Sequence, residues 1–125
     1  MMETMLMQRE NDMIVKSRPY MISEVTMTQF YQGISNVLSN WIALQMAIQN
    51  EWGGRDSYQK SQRLVSNIFS WFCQSKAPLC IEELENLLYE SMLFSFNTDI
   101  EDGSIEEVAE HLMATHEGYL NGYCI

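Results

Sequence analysis

Residues 25 to 50 carry no charged side chain, and within them Phe30, Ile34, Val37, Trp41, Leu44 and Ile48 recur at steps of four and three. Side chains so spaced share one face of an α-helix, because about 3.6 residues complete a turn. Leu38 widens that face. The pattern predicts one amphipathic helix from about Ser23 to Glu51 whose apolar stripe has to be covered by other parts of the chain. Its other faces carry Thr28, Gln29, Gln32, Ser35, Asn36, Ser39, Asn40, Gln45 and Gln49. So many hydroxyls and amides argue against a bilayer span.

The helix is expected to stop at Trp52-Gly53-Gly54, since glycine adopts the left-handed conformation of a final turn without a β-carbon clash. Asp56 with Gln59 three residues on is a capping box for a second helix that turns Leu64, Val65, Ile68, Phe69 and Phe72 inward. Pro78 sets its latest end, and Cys73 is expected near that end, facing inward. A third helix from about Ile81 to Leu93 buries Ile81, Leu84, Leu87 and Leu88. After a loop around Phe96 to Gly103, Ser104 and Glu107 form another box and open a short helix with Ile105, Val108, Leu112 and Met113, closed by Gly118. No strand-like alternation competes. A chain of 125 residues with 46% hydrophobic content has enough apolar surface for one core. The fold class is therefore all-α, a single compact helical array of about four main helices over residues 23–118. Residues 1–22, polar and Met-rich, read as a flexible leader, and residues 119–125 as a short tail.

Charge is the second constraint. Of seven basic and seventeen acidic residues, all seven basic and six acidic ones fall in residues 1–77, a net +1. Residues 78–125 hold the other eleven acids and no lysine or arginine. Part of this acid has a local explanation, because Glu82, Glu83, Glu85, Glu106 and Glu107 sit in first turns, where the helix dipole favours anions. Glu110 and Glu117 have none. Glu106 and Glu107 face Glu110 at helical spacing, and Asp99, Glu101 and Asp102 crowd one loop, each like pair costing about 0.2–0.5 kcal/mol. One lysine would relieve this, and none follows Lys76. The acidic half is thus read as an interaction surface for a cationic partner, one that repels nucleic acid and anionic membrane.

Catalytic and metal-binding patterns are weak. Neither GxGxxG nor GxxxxGK[ST] occurs, and no strand leads into Gly53-Gly54, so a phosphate cradle has no support. Glu51-Trp52-Gly53-Gly54-Arg55 reads first as a helix stop with the indole of Trp52 wedged against the core. Asn97 to Gly103 resembles a calcium loop only superficially: with Gly103 at the sixth position, the first and third ligands would be Thr98 and Ile100. His111 and His116 lie five apart without an HExxH pattern and read as solvated or packing histidines. Cys73, Cys80 and Cys124 make an odd set with no CxxC, which fits a reducing compartment. Glu3, Arg9, Glu10 and Asp12 interrupt any signal-peptide core. No cofactor is implied.

Against this background the sequence resembles the WGG-motif pre-rRNA-processing proteins, the Tsr-two family. The resemblance is carried by Ala43-Leu44-Gln45-Met46-Ala47-Ile48 followed by Glu51-Trp52-Gly53-Gly54, then Trp71-Phe72, Leu84-Glu85 with Leu88, Phe96-Asn97, Glu101-Asp102-Gly103-Ser104 and Glu107-Val108-Ala109. It implies a non-enzymatic escort chaperone of nucleus and cytoplasm. Such a protein binds a basic small-subunit ribosomal protein of the eS-twenty-six type, frees it from importin through a transient encounter, and protects it until assembly, in support of pre-rRNA processing. Relatives commonly extend into a long acidic tail, whereas this chain ends at Ile125, which puts more of the binding on the helical body. The expected contacts are Glu82, Glu83, Glu85, Glu90, Asp99, Glu101, Asp102 and Glu106, with Trp52 organising the corner beside them. A rival expectation is a helical adaptor or dimerisation module using the uncharged face of residues 29–49 for a non-basic protein; a metal-dependent hydrolase is a third.

Overall fold

The computed structural model describes residues 24–75 and 78–124, with side chains through Tyr119. Five helices follow one another: α1 Glu24–Ser39, α2 Ile42–Gln49, α3 Ser57–Gln74, α4 Ile81–Phe96 and α5 Ser104–Cys124. Among the described residues there is no strand, and no helix is long and apolar enough to cross a membrane. The all-α array read from periodicity is therefore what forms. The expected flexible leader lies outside the described residues.

The predicted first helix is two. Ser39 Oγ and Asn40 Nδ2 both donate to the Asn36 carbonyl, at 2.8 and 3.0 Å, occupying the acceptor that the Asn40 N–H would need to continue the helix. Trp41 is extended (φ −86°, ψ 105°), and α2 starts behind it at Ile42. The break also gives the Trp41 indole a partner: Nε1 donates to Ser104 Oγ at 2.9 Å. Trp41 is thereby buried with its one donor satisfied.

Phe30, fully buried on α1, organises the core. It meets the Phe72 ring edge-on at 5.3 Å, the Phe69 ring at 5.8 Å and the His116 imidazole at 5.5 Å. Burying one such ring contributes about 1.5–3 kcal/mol. His116 stacks on Phe72 at 4.7 Å, a packing histidine as expected, and His111 is exposed. α1 lies against α5 through Gly33, where an added β-carbon would stand 2.8 Å from the Thr115 methyl. Ile34, Leu38, Leu44, Leu64, Ile68, Leu84, Leu88, Met92 and Leu112 fill the rest. Val37, Ile48, Phe69, Ile81, Leu87 and Met113, all read as inward, are only partly buried against this core.

Four local expectations are corrected. α4 runs past Leu93 to Phe96, because Met92 and Phe96 continue its buried row. α5 passes through Gly118, which is not in the left-handed region and so terminates nothing. Cys73 is exposed, since Phe72 takes the inward position beside it. Asp56 makes no side-chain cap; its carboxylate is turned toward Lys60 at 3.8 Å and Arg63 at 3.7 Å.

Candidate functional site

The Trp52-Gly53-Gly54 corner is built differently from a glycine stop. Glu51, not a glycine, takes the left-handed position (φ 55°) after α2. The Trp52 N–H then reaches back to the Ala47 carbonyl at 2.9 Å and the Glu51 N–H to Ile48 at 3.2 Å, the pairing of a Schellman end. Gly53 serves close approach: a β-carbon there would lie 2.4 Å from the Ser95 carbonyl oxygen and 3.1 Å from the Phe96 ring. Gly54 makes the turn at φ 97°. Ser57 Oγ caps the junction, accepting from the Gly53 N–H at 3.1 Å and donating to the Gly54 carbonyl at 2.7 Å.

Lys60 clips this corner to the C-terminal end of α4. Its ammonium donates to the Gly53 carbonyl at 2.5 Å and to the Ser95 carbonyl at 3.2 Å. Asn97, itself left-handed (φ 55°) at the end of α4, donates from Nδ2 to the Trp52 carbonyl at 2.8 Å. The Trp52 backbone is thus held in place while the residue stays 40% exposed. The wedge expected of Trp52 is supplied by Trp41 instead, because the α1–α2 break aims that indole inward.

The acidic residues are sorted by the pairing of α4 with α5. The start of α4 lies beside residues 110–117, and residues 85–89 lie beside residues 105–106, so the two helices run antiparallel. A cleft of about 610 Å³ at one end of their seam is rimmed by Glu85, Glu101 and Glu106 around Ile100 and Ile105. A second, of about 630 Å³ at the other end, is rimmed by Glu82, Glu110 and Glu117 around Leu79, Ile81 and Met113. Asp99 is elsewhere, lining a cleft of about 360 Å³ with Trp52, Asn97 and Thr98. Glu83 and Glu90 are exposed on α4 and line none of the three.

Asp102 has a structural task. Hydrogen bonds from the Ser104 hydroxyl and from its backbone N–H, the latter at 3.0 Å, hold the Asp102 carboxyl below the usual carboxylate range. Ser104 gives its oxygen to Trp41, so Asp102 does the capping expected of Ser104. Tyr89 donates its hydroxyl to Asp99 Oδ1 at 2.9 Å, and that bond with the Asp99 charge pushes the phenol up. In the sequence Glu110 and Glu117 stand out only as acids without a local explanation. Their spacing of seven, with Met113 between, was the available sign of a shared rim.

Among the described residues both ion pairs centre on Asp56, and no acid of α4 or α5 has a cationic partner. No three His, Cys, Asp or Glu side chains converge as a metal site among them. The seam therefore offers carboxylates above apolar floors, suited to Lys and Arg side chains whose stems can lie along the apolar part.

A family model described as WGG, pre-rRNA-processing protein TSR2, matches residues 30–110. The chain is 33% identical over 93 residues to the pre-rRNA-processing protein TSR2 homolog of Mus musculus, covering 74% of this chain and 48% of that protein. With the Homo sapiens homolog the identity is 32% over the same length and coverage. With pre-rRNA-processing protein TSR2 of Saccharomyces cerevisiae it is 29% over 119 residues, 95% of this chain and 56% of that one. The chain spans about half the length of these curated relatives.

Proposed function

Because this chain belongs to the WGG family of TSR2 pre-rRNA-processing proteins, we propose that it is a non-enzymatic escort for a basic small-subunit ribosomal protein of the eS-twenty-six type. It frees that client from importin, delivers it to pre-ribosomes in nucleus and cytoplasm, and so supports pre-rRNA processing and small-subunit maturation. It contacts neither nucleic acid nor membrane directly, and uses no cofactor.

The observation that carries this reading is the α4–α5 seam, where two clefts are rimmed by six carboxylates and no cation among the described residues pairs with them. An unassembled ribosomal protein presents Lys and Arg meant for rRNA phosphates and binds any polyanion unspecifically. Carboxylates on a fixed helical face occupy those side chains, at an on-rate raised by the field and lowered by salt. The apolar floors add contact that free polyanions lack.

The test is recovery of tagged protein from cell extract, with mass spectrometry of what co-purifies. Glu82, Glu85, Glu101 and Glu106 reversed together to lysine should abolish recovery of the basic ribosomal protein. Unchanged recovery would overturn the reading.

A second reading, an adaptor for a non-basic protein, draws on Ile42 and Met46, exposed at 73% and 46% on the outer face of α2. Beside α2 is an uncharged cleft of about 230 Å³ lined by Ser39, Gln45, Tyr58 and Gln62. Such binding would barely respond to salt, whereas the seam's would weaken steeply.

A further inference from the structure

We infer that the Trp52 corner is a receptor for a single arginine side chain of the basic partner, the guanidinium lying on the indole face and donating to the Asp99 carboxylate. This rests on the basic-partner reading and deepens it by naming a contact that tells arginine from lysine.

Three observations support it. The fold fixes residues 51–53 with hydrogen bonds to each of their backbones and a close glycine contact, yet leaves Trp52, the largest residue of that turn, 40% exposed. After a Schellman end a hydrophobic residue at this position ordinarily packs back on its helix. Here the ring forms one wall of a cleft of about 360 Å³, with Asn97, Thr98 and Asp99 as the others.

The second observation is the state of Asp99. Tyr89 fixes its carboxylate by donating to Oδ1 at 2.9 Å, and among the described residues Oδ2 has no partner. Among the described residues no cation pairs with it, and none stacks on Trp52. Lys60 and Arg63 are turned to Asp56, and Lys60 is further committed to two carbonyls.

The third is chemical fit. A π-face and a carboxylate lining one cleft suit a planar cation that stacks with one surface and donates from its edge. Lysine, a compact and strongly hydrated charge, cannot do both at once. Because the Lys60 clip and the Asn97 bond hold the corner rigid, little ordering is needed on binding.

The experiment compares a short arginine-rich peptide with the same peptide bearing lysine at every arginine, each titrated against the full chain by calorimetry at low salt. The arginine peptide is expected to bind about three- to tenfold more tightly. Trp52→Leu, and independently Asp99→Asn, should bring it to the lysine level, while Glu117→Gln should weaken both peptides equally. Both altered residues are exposed, so the folded state is checked simply by circular dichroism. Equal binding of the two peptides, or a preference that survives both variants, would overturn the arginine receptor and leave the basic-partner reading standing. Failure of both peptides to bind at low salt would overturn both readings.

Discussion

The indole nitrogen of Trp41 donates to the hydroxyl of Ser104 across 2.9 Å and sixty-three positions of sequence, joining the α1–α2 break to the first turn of α5. Ser104 in turn bonds Asp102, so one polar chain links the core to the acidic loop. Removing the Ser104 hydroxyl strands the buried indole N–H, whereas removing the indole leaves a half-buried hydroxyl still bonded to Asp102 and a gap in the core. Ser104→Ala should cost about 1–3 kcal/mol and Trp41→Phe a comparable amount. In urea unfolding, the double variant should lose about 1 kcal/mol less than the two single losses added, because they share one bond. Strict additivity would show the bond to be energetically idle.

Two glycines should respond oppositely to alanine. Gly53→Ala drives a β-carbon to 2.4 Å from the Ser95 carbonyl, a backbone atom held by the Lys60 clip. The expected loss is about 1–3 kcal/mol or more. Gly118, inside α5 with nothing within 4 Å of its would-be β-carbon, should gain about 0.5–1 kcal/mol as alanine. Melting temperatures of the two variants on either side of the parent's are the expected result.

Glu51 carries strain that the glycines after it do not relieve. At φ 55° an L-residue costs about 1–2 kcal/mol, and Glu51→Gly should recover part of that, about 1 kcal/mol. Its side chain is exposed and makes no ion pair among the described residues, so little is lost in exchange. The denaturation midpoint should rise; a fall would mean that the carboxylate stabilises the corner in some other way.

His116 gives the fold a pH dependence. Burial against Phe72 and Phe30 lowers its pKa below the ordinary 6.5, with the Glu117 charge opposing the shift. The unfolded chain therefore takes up the proton first as pH falls. Stability contributed by the neutral imidazole is whole above about pH 6.5 and declines from there through the lower, folded-state pKa. His116→Phe keeps the stacking and should flatten the stability profile below about pH 6.5. An unchanged slope would assign the dependence to other groups.

Periodicity and charge were legible because they are additive properties of neighbouring residues. The stripes of α3 and α5, the inward Leu84 and Leu88, the absence of strands among the described residues and the one-sided acidity of residues 78–125 all follow from spacing and composition. The family resemblance was likewise linear, a succession of short words over about residues 30–113, and the family match covers residues 30–110. What spacing could not convey is which local preference yields when two compete. Asn36 to Trp41 fits a helical stripe, yet Ser39 and Asn40 divert the Asn36 carbonyl. That diversion coincides with a contact remote in sequence, the Trp41 indole donating to Ser104.

Site geometry divides the same way. The sequence determined that this chain is a helical body with an uncompensated acidic half and a tryptophan beside two glycines, since composition and order suffice for those statements. Only the tertiary structure decided that Glu85, Glu101 and Glu106 rim one cleft, that Glu82, Glu110 and Glu117 rim another, and that Asp99 sits with Trp52. Those groupings depend on α4 and α5 lying antiparallel and on Gly53 letting the α2–α3 corner touch the Ser95 carbonyl. Both are contacts between residues far apart in the chain, and no local pattern specifies them.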